Sequence, residues 1–279
     1  MYTNWHLSYL LESMKLKVFS HYIKVWLVIV KASFRRSYVY RTEVFVRFLR
    51  TIFILGVQVL LLNAVFGDNE IYVGWTKNEA YLVMGIWNFL NYMGWSLFGV
   101  NLFNLEGKVI NGEFDFYLLK PISSAWFASF CDFFIYNFVT VISGLTLIGW
   151  YMYQELNNLI YTDILLGVLS IFIALILWYG IYLFFASFTI SNPRNGYLVV
   201  AKEILGITRY PTDIFGNTFQ ILFYTLLPIA FLTTVPAKTF MGEGSYIVLV
   251  CGLLVGLATV IIGKNIWNKN VRNYVSSGG

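Results

Sequence analysis

Ile164–Ile190 reads ILLGVLSIFIALILWYGIYLFFASFTI, with no charged residue and no alternation of polar and apolar positions. About 20 apolar residues suffice to cross a bilayer as a helix, whereas a barrel strand alternates over about 10. In lipid the backbone must close its hydrogen bonds within the segment, so this stretch reads as a membrane-spanning helix. Five more stretches read the same way: Phe48–Phe66, Tyr81–Phe103, Ala125–Trp150, Phe219–Val235 and Tyr246–Trp267. The fold class that follows is an all-α polytopic membrane protein with six transmembrane helices, forming one domain over residues 48–267. The second span is the most polar, carrying Asn88, Asn91 and Asn101.

Composition agrees. Of 279 residues, 58% are hydrophobic, 19% aromatic and only 12% charged; mean hydropathy is +0.69. A soluble domain has roughly 25% charged residues. This excludes a soluble enzyme, a disordered chain and a nucleic-acid-binding domain, despite a net charge of +5. Cys131 and Cys251 lie in apolar runs, so no disulfide framework is indicated. The histidines are His6 and His21, and neither HExxH nor CxxC occurs, so no metal site and no catalytic residue is expected. The opening MYTNWHLSYLLESMKLK lacks the charge order and small-residue cleavage site of a signal peptide, so none is expected.

Orientation follows from the basic residues. Every Lys and Arg except Lys77 and Lys238 falls in the N-terminal region to Arg50, in the loops around Lys108–Lys120 and Arg194–Arg209, or in the tail from Lys264. The positive-inside rule places these segments and both termini in the cytoplasm. The cytoplasmic parts are then the N-terminus (1–47), the loops 104–124 and 191–217, and the tail 268–279. Outer loops are short and mildly acidic, and no external binding domain is expected.

Lys17, Lys24, Lys31 and Arg35 recur at helical spacing, opposite Phe19, Ile23, Trp26, Val30 and Phe34. This pattern predicts a basic amphipathic helix lying on the anionic inner leaflet. An ordinary basic flank with helical propensity is the plainer alternative.

Two further groups of residues could carry function. The loop NLEGKVINGEFDFYLLKPISSAW (Asn104–Trp126) is punctuated by Gly107, Gly112 and Pro121. Between them Phe114, Leu118 and Leu119 form an apolar stripe beside Glu113, Asp115 and Lys120, suited to a partner's groove or simply to a chain reversal. In the third span, Asp132 is an ionisable group within the membrane, followed by Tyr136, Thr140 and Ser143 at helical spacing. Such a stripe avoids lipid; it serves either as hydrogen-bonding glue between helices or as the lining of a path. Gly252 and Gly256 permit close helix approach. Arg47 and Arg50 are explained by snorkelling to inner headgroups, and Pro228 is expected to break the fifth span.

Gly112-Glu113-Phe114-Asp115 followed by Leu118-Leu119-Lys120-Pro121 resembles the loop between the second and third spans of ABC-2-type permeases, the type-2 ABC exporters, and especially of one bacterial branch. Three further stretches resemble that branch: Arg209-Tyr210-Pro211, then Leu227-Pro228-Ile229-Ala230-Phe231 with Pro236-Ala237, and the closing Lys269, Tyr274 and Ser277-Gly278-Gly279. The resemblance covers nearly the whole chain in topology. It implies a permease of the bacterial cytoplasmic membrane, with an amphipathic elbow helix first and a cytoplasmic coupling helix at Gly112–Pro121. It also implies two partner ATPase subunits holding ATP and Mg, and a second permease, identical or homologous. The chain itself has no GxxxxGK[ST], so phosphate chemistry cannot reside on it and no cofactor is expected here. Few polar groups in the spans suit an apolar or amphiphilic cargo. The alternatives are a secondary transporter relying on Asp132, which requires a midplane ion site, and a membrane enzyme, which requires a nucleophile, a metal cluster or paired carboxylates in the membrane.

Overall fold

In the computed structural model, residues 20–36, 41–67, 71–156, 160–225 and 228–276 are described. Lys17, Phe19, Leu227 and the closing Ser277-Gly278-Gly279 lie outside them. Residues 20–36 form α1, followed by α2 (Arg41–Phe66) and a two-stranded antiparallel hairpin, β1 (Ile71–Tyr72) and β2 (Trp75–Thr76). Next come α3 (Lys77–Gly94), a π-helical turn (Trp95–Gly99) and α4 (Val100–Phe103), which form one helical path. Short α5 (Leu105–Ile110), α6 (Asp115–Leu118) and α7 (Ser124–Phe130) precede the long α8 (Ile135–Gln154) and α9 (Tyr161–Thr189). The chain closes with α10 (Tyr197–Ile207), α11 (Asn217–Thr225), α12 (Thr234–Phe240) and α13 (Tyr246–Arg272). The architecture is all-α, and α2, α8, α9 and α13 are long and apolar enough to cross a membrane.

Local chemistry explains where α3 begins. Thr76 accepts a hydrogen bond from the Glu79 amide, and the Glu79 carboxylate accepts one from the Thr76 amide. This reciprocal capping satisfies two helix-end donors that would otherwise have no partner.

Packing fixes the relative directions. α9 and α13 run parallel and in intimate contact: a Cβ on Gly180 would stand 2.3 Å from Thr259 Oγ1, and one on Gly263 would stand 3.0 Å from the Phe184 nitrogen. α3 crosses α8 antiparallel at Gly85 and Gly144, where a Cβ on Gly144 would meet the Phe89 nitrogen at 2.5 Å. The core between them holds Leu82, Ile86, Leu90, Leu177, Trp178 and Tyr182. α2 packs mainly on α8 and α3, with most of its apolar surface uncovered, including Phe53 at 72% exposure. One end of the bundle carries the β-hairpin. The opposite end carries α1, α5, α6 and the end of α13.

Three sequence expectations change. Ala125–Trp150 is not one span, because residues 131–134 interrupt it between α7 and α8. Phe219–Val235 is not a continuous helix either. α11 ends at Thr225, Pro228 precedes a 3-10 turn (Ile229–Phe231), and α12 begins only at Thr234. Proline lacks an N–H and fixes φ, so Pro228 cannot continue the helix. Residues 191–217 are not a loop: they contain α10, which packs Leu198, Ala201 and Leu205 against the bundle. Its eleven residues, interrupted by Lys202 and Glu203, are too short and too polar to read as a span.

Candidate functional site

The Gly112–Pro121 segment is a pair of turns around the single-turn helix α6. Gly112 opens it with φ 75°, a conformation that side chains disfavour. Phe114 is fully buried, edge-on to Trp267 and Tyr274 of the C-terminal region, with ring centroids 5.9 and 5.3 Å apart. Asp115 accepts a 2.5 Å hydrogen bond from Ser276. Tyr117 packs on Phe127 and takes a hydrogen bond from Lys108. Burial pushes the Tyr117 phenol well above its usual range, reinforced by the Cys131 thiol and by the Asp132 and Glu113 carboxylates. Phe114 therefore anchors the segment to its own chain and cannot be an anchor for a partner. The side chains facing outward are Glu113, Phe116 (65% exposed), Leu118, Leu119 (79%), Lys120 and Pro121.

Asp132 does not sit inside a span. It lies in the 131–134 interruption, 34% exposed, and pairs with Arg36 at the end of α1. The carboxylate raises the Arg36 guanidinium above its ordinary value. Around it, the π turn and α4 replace the missing helical bonds. Asn101 Nδ2 donates to the carbonyls of Ser129 (2.9 Å) and Asp132 (2.7 Å). The Phe134 amide donates to the Ser96 carbonyl, and Ser96 Oγ donates back to the Phe134 carbonyl. Ser96 lies in the π turn, where the wider pitch leaves carbonyls without their usual partners. α1 completes the arrangement: Ser33 accepts from the Phe133 amide, Trp26 and Phe34 pack on Phe133, and Tyr22 packs on Trp126. Lys24, Lys31 and Arg35 are exposed along α1.

Tyr136 and Thr140 line a cavity of about 510 Å³ bounded by α2, α3, α8 and α10, and Tyr136 also borders a smaller pocket with Ser33, Arg36 and Phe133. Ser143 is buried one turn further on and donates to the Thr140 carbonyl. The stripe thus runs from the interruption at Asp132 to the cavity at Thr140, with Tyr136 between them. The cavity also holds Arg47, Arg50, Lys202 and Arg209, against one lining carboxylate, Glu203. Arg47 pairs with Glu43, donates to Asn137 and covers the Tyr136 ring at 4.3 Å. Arg209 lies 4.9 Å from the Trp87 ring centroid, and its Nε donates to the Gly206 carbonyl. Trp87 in turn donates to the Leu205 carbonyl at 3.3 Å.

Sequence reasoning treated Arg47 and Arg50 as headgroup anchors and left Arg209 in a loop. The available signal was the apolar run Tyr197–Ile207 leading directly to Arg209. Ser96 and the capping role of Asn101 gave no local sign, because their partners lie about 30 residues ahead. Among the described residues, no cluster of three or more His, Cys, Asp or Glu is placed to hold a metal.

Compared with known proteins, residues 52–278 match the family described as ABC-2 family transporter protein. No curated protein matches the chain.

Proposed function

The chain belongs to the ABC-2 transporter family, and from that membership we propose that it is the permease of an ATP-driven exporter whose ATP is hydrolysed on separate chains. The observation that carries this reading, beside the family, is the two-sided segment at α6. One side is locked by Phe114 into the end of α13. The other side shows Phe116, Leu118 and Leu119 outside the bundle. An apolar knob on a short turn suits a groove on a partner protein. The given sequence contains no GxxxxGK[ST], which agrees with ATP being held on another polypeptide.

In this reading two ATPase subunits, carrying ATP and Mg, engage two permeases, either two copies of this chain or this chain and a homologue. The chain crosses the bacterial cytoplasmic membrane six times: α2, α3 through α4, α8, α9, α10 extended through Thr212–Ile214, and α13. Both termini are cytoplasmic, and α1 lies along the inner leaflet as the elbow helix. Closure of the ATPases displaces α6. Phe114 passes that displacement to α13, and Tyr117 passes it through Phe127 to α7. The bundle then alternates between inward and outward states, moving an apolar or amphiphilic cargo outward. Asp132 serves as a tether between α1 and the interruption rather than as a proton carrier.

The test is to replace both outward side chains, Phe116→Asp with Leu119→Asp. The chain should still fold, while transport by the reconstituted complex falls to background and ATP hydrolysis no longer responds to cargo. Transport at the wild-type rate would refute the coupling role. Phe114→Ala is the contrasting variant, expected to cost roughly 3–5 kcal/mol of fold stability.

A further inference from the structure

We propose that the cavity between α2, α3, α8 and α10 binds a phosphate-type oxyanion carried on an apolar chain, the headgroup of an anionic amphiphile. The first observation is charge. Arg47, Arg50, Lys202 and Arg209 line it with Glu203. Glu43 pairs with Arg47. Among the described residues, Arg50, Lys202 and Arg209 make no ion pair. Counting both carboxylates, a positive excess remains that suits a phosphate.

The second observation is depth. Trp87, under the Arg209 guanidinium, precedes Asn88, which exchanges amide hydrogen bonds with Gln58 at 2.8 and 3.2 Å. At ~1.5 Å per residue, Gln58 stands about 12 Å along α2 from Phe66 and about 16 Å from Arg47. Arg209 thus stands at mid-depth along the bundle, with its side chain exposed on the cavity wall. An arginine at that depth is expensive without a counter-charge, and such residues face aqueous cavities on ligand paths. The Trp87 ring and the Gly206 carbonyl offset only part of that cost. The guanidinium fork is also the side chain best matched to phosphate oxygens.

The third observation is the wall. Trp87, Tyr92, Trp95, Ile54 and Val100 alternate with the cations. Beside them α2 presents an uncovered apolar flank, including Leu49 and Phe53. A headgroup bound by the cations can therefore leave its chain against apolar surface. The inference assigns a ligand class to the permease proposed above and rests on that reading. It is measured on the permease alone, so loss of binding leaves the coupling role standing, and loss of the ATPase leaves the site standing.

The experiment titrates the full chain, purified in a neutral detergent, and follows tryptophan fluorescence. The probes are dodecyl phosphate, dodecanol, dodecyltrimethylammonium and inorganic phosphate. Dodecyl phosphate should bind tightest and weaken with added salt. Arg50→Gln with Arg209→Gln should weaken it at least about tenfold. Arg209→Lys, which keeps the charge but not the fork, should bind more weakly than the natural chain and more tightly than the double variant, and Arg194→Gln, outside the cavity, should retain all of the binding. Equal binding of dodecanol or the cation, or unchanged binding by the double variant, would overturn the proposal. Inorganic phosphate binding as tightly as dodecyl phosphate would overturn the amphiphile and leave a free-anion site. If the double variant does not fold, Lys202→Gln and the salt dependence decide the same question. Competition by phosphatidylglycerol in nanodiscs identifies the source of the headgroup as bilayer lipid, and lack of competition identifies it as cargo.

Discussion

Two interruptions of the helical path, at 131–134 and between α10 and α12, are held by different means. At 131–134 no proline or glycine occurs, and the freed backbone is satisfied by side chains from afar: Asn101, Ser96 and Ser33. Its outer tie is the partly exposed pair of Arg36 and Asp132. Between α10 and α12, by contrast, the chain carries Pro211, Gly216 and Pro228, and the ties are buried threonines. Thr233 donates to the Thr208 carbonyl at 2.6 Å, and the Thr212 amide donates to Thr234 Oγ1 at 2.9 Å. The second interruption is locked by local geometry and buried bonds. The first is held open by tertiary contacts, one of them the partly exposed charge pair with Arg36 of α1. A break of the first kind can shift when α1 or α6 moves, and the second serves as the fixed point.

Four substitutions sharpen or break this contrast. Asn101→Ala should have the largest effect, because it leaves the Ser129 and Asp132 carbonyls without their donor. At about 1–3 kcal/mol for each buried group, a loss of about 3 kcal/mol is expected in a thermal unfolding series in detergent. A shift no larger than that of a surface control would show that the interruption does not depend on α4. Thr233→Val removes one buried donor and should cost about 2 kcal/mol by the same assay. Asp132→Asn should cost under about 1 kcal/mol, since exposed ion pairs contribute little. Its signature should instead be faster proteolysis between α1 and α2, and unchanged cleavage there would mean that the pair does not hold α1. The smallest effect, about 0.5 kcal/mol, is expected for Lys238→Met, which breaks the 2.8 Å pair with Asp213 at the hairpin end. A loss above about 2 kcal/mol would show that charge rather than threonine fixes the second interruption.

The same contrast explains what the sequence discloses. α2, α9 and α13 follow directly from long apolar runs. Pro228 announces the second interruption, since its effect on the backbone is local. The first interruption is invisible because nothing between Cys131 and Phe134 forbids a helix; the partners that favour the break are about 30 or 100 residues away. α10 is hidden for another reason. Tertiary packing covers one face of it, so its average hydropathy is diluted by Lys202 and Glu203 on the cavity side. Arg209 illustrates the consequence: a charge count assigns it to a loop, and only the contact with Trp87 places it in the bundle. Phe114 and Phe116 show the limit at the finest scale. Two aromatic residues, two positions apart on one turn, look alike in sequence and face opposite environments.

If a separate ATPase drives this chain through the outward side of the α6 turn, the two proteins form one complex in the membrane. Purification of the chain from its native membrane in mild detergent, with mass spectrometry of its companions, tests it most directly. A stoichiometric soluble protein bearing GxxxxGK[ST] should accompany the chain, and should be lost when Phe116 and Leu119 are both replaced by Asp. A chain that comes through reproducibly alone, even after cross-linking at position 119, would contradict it.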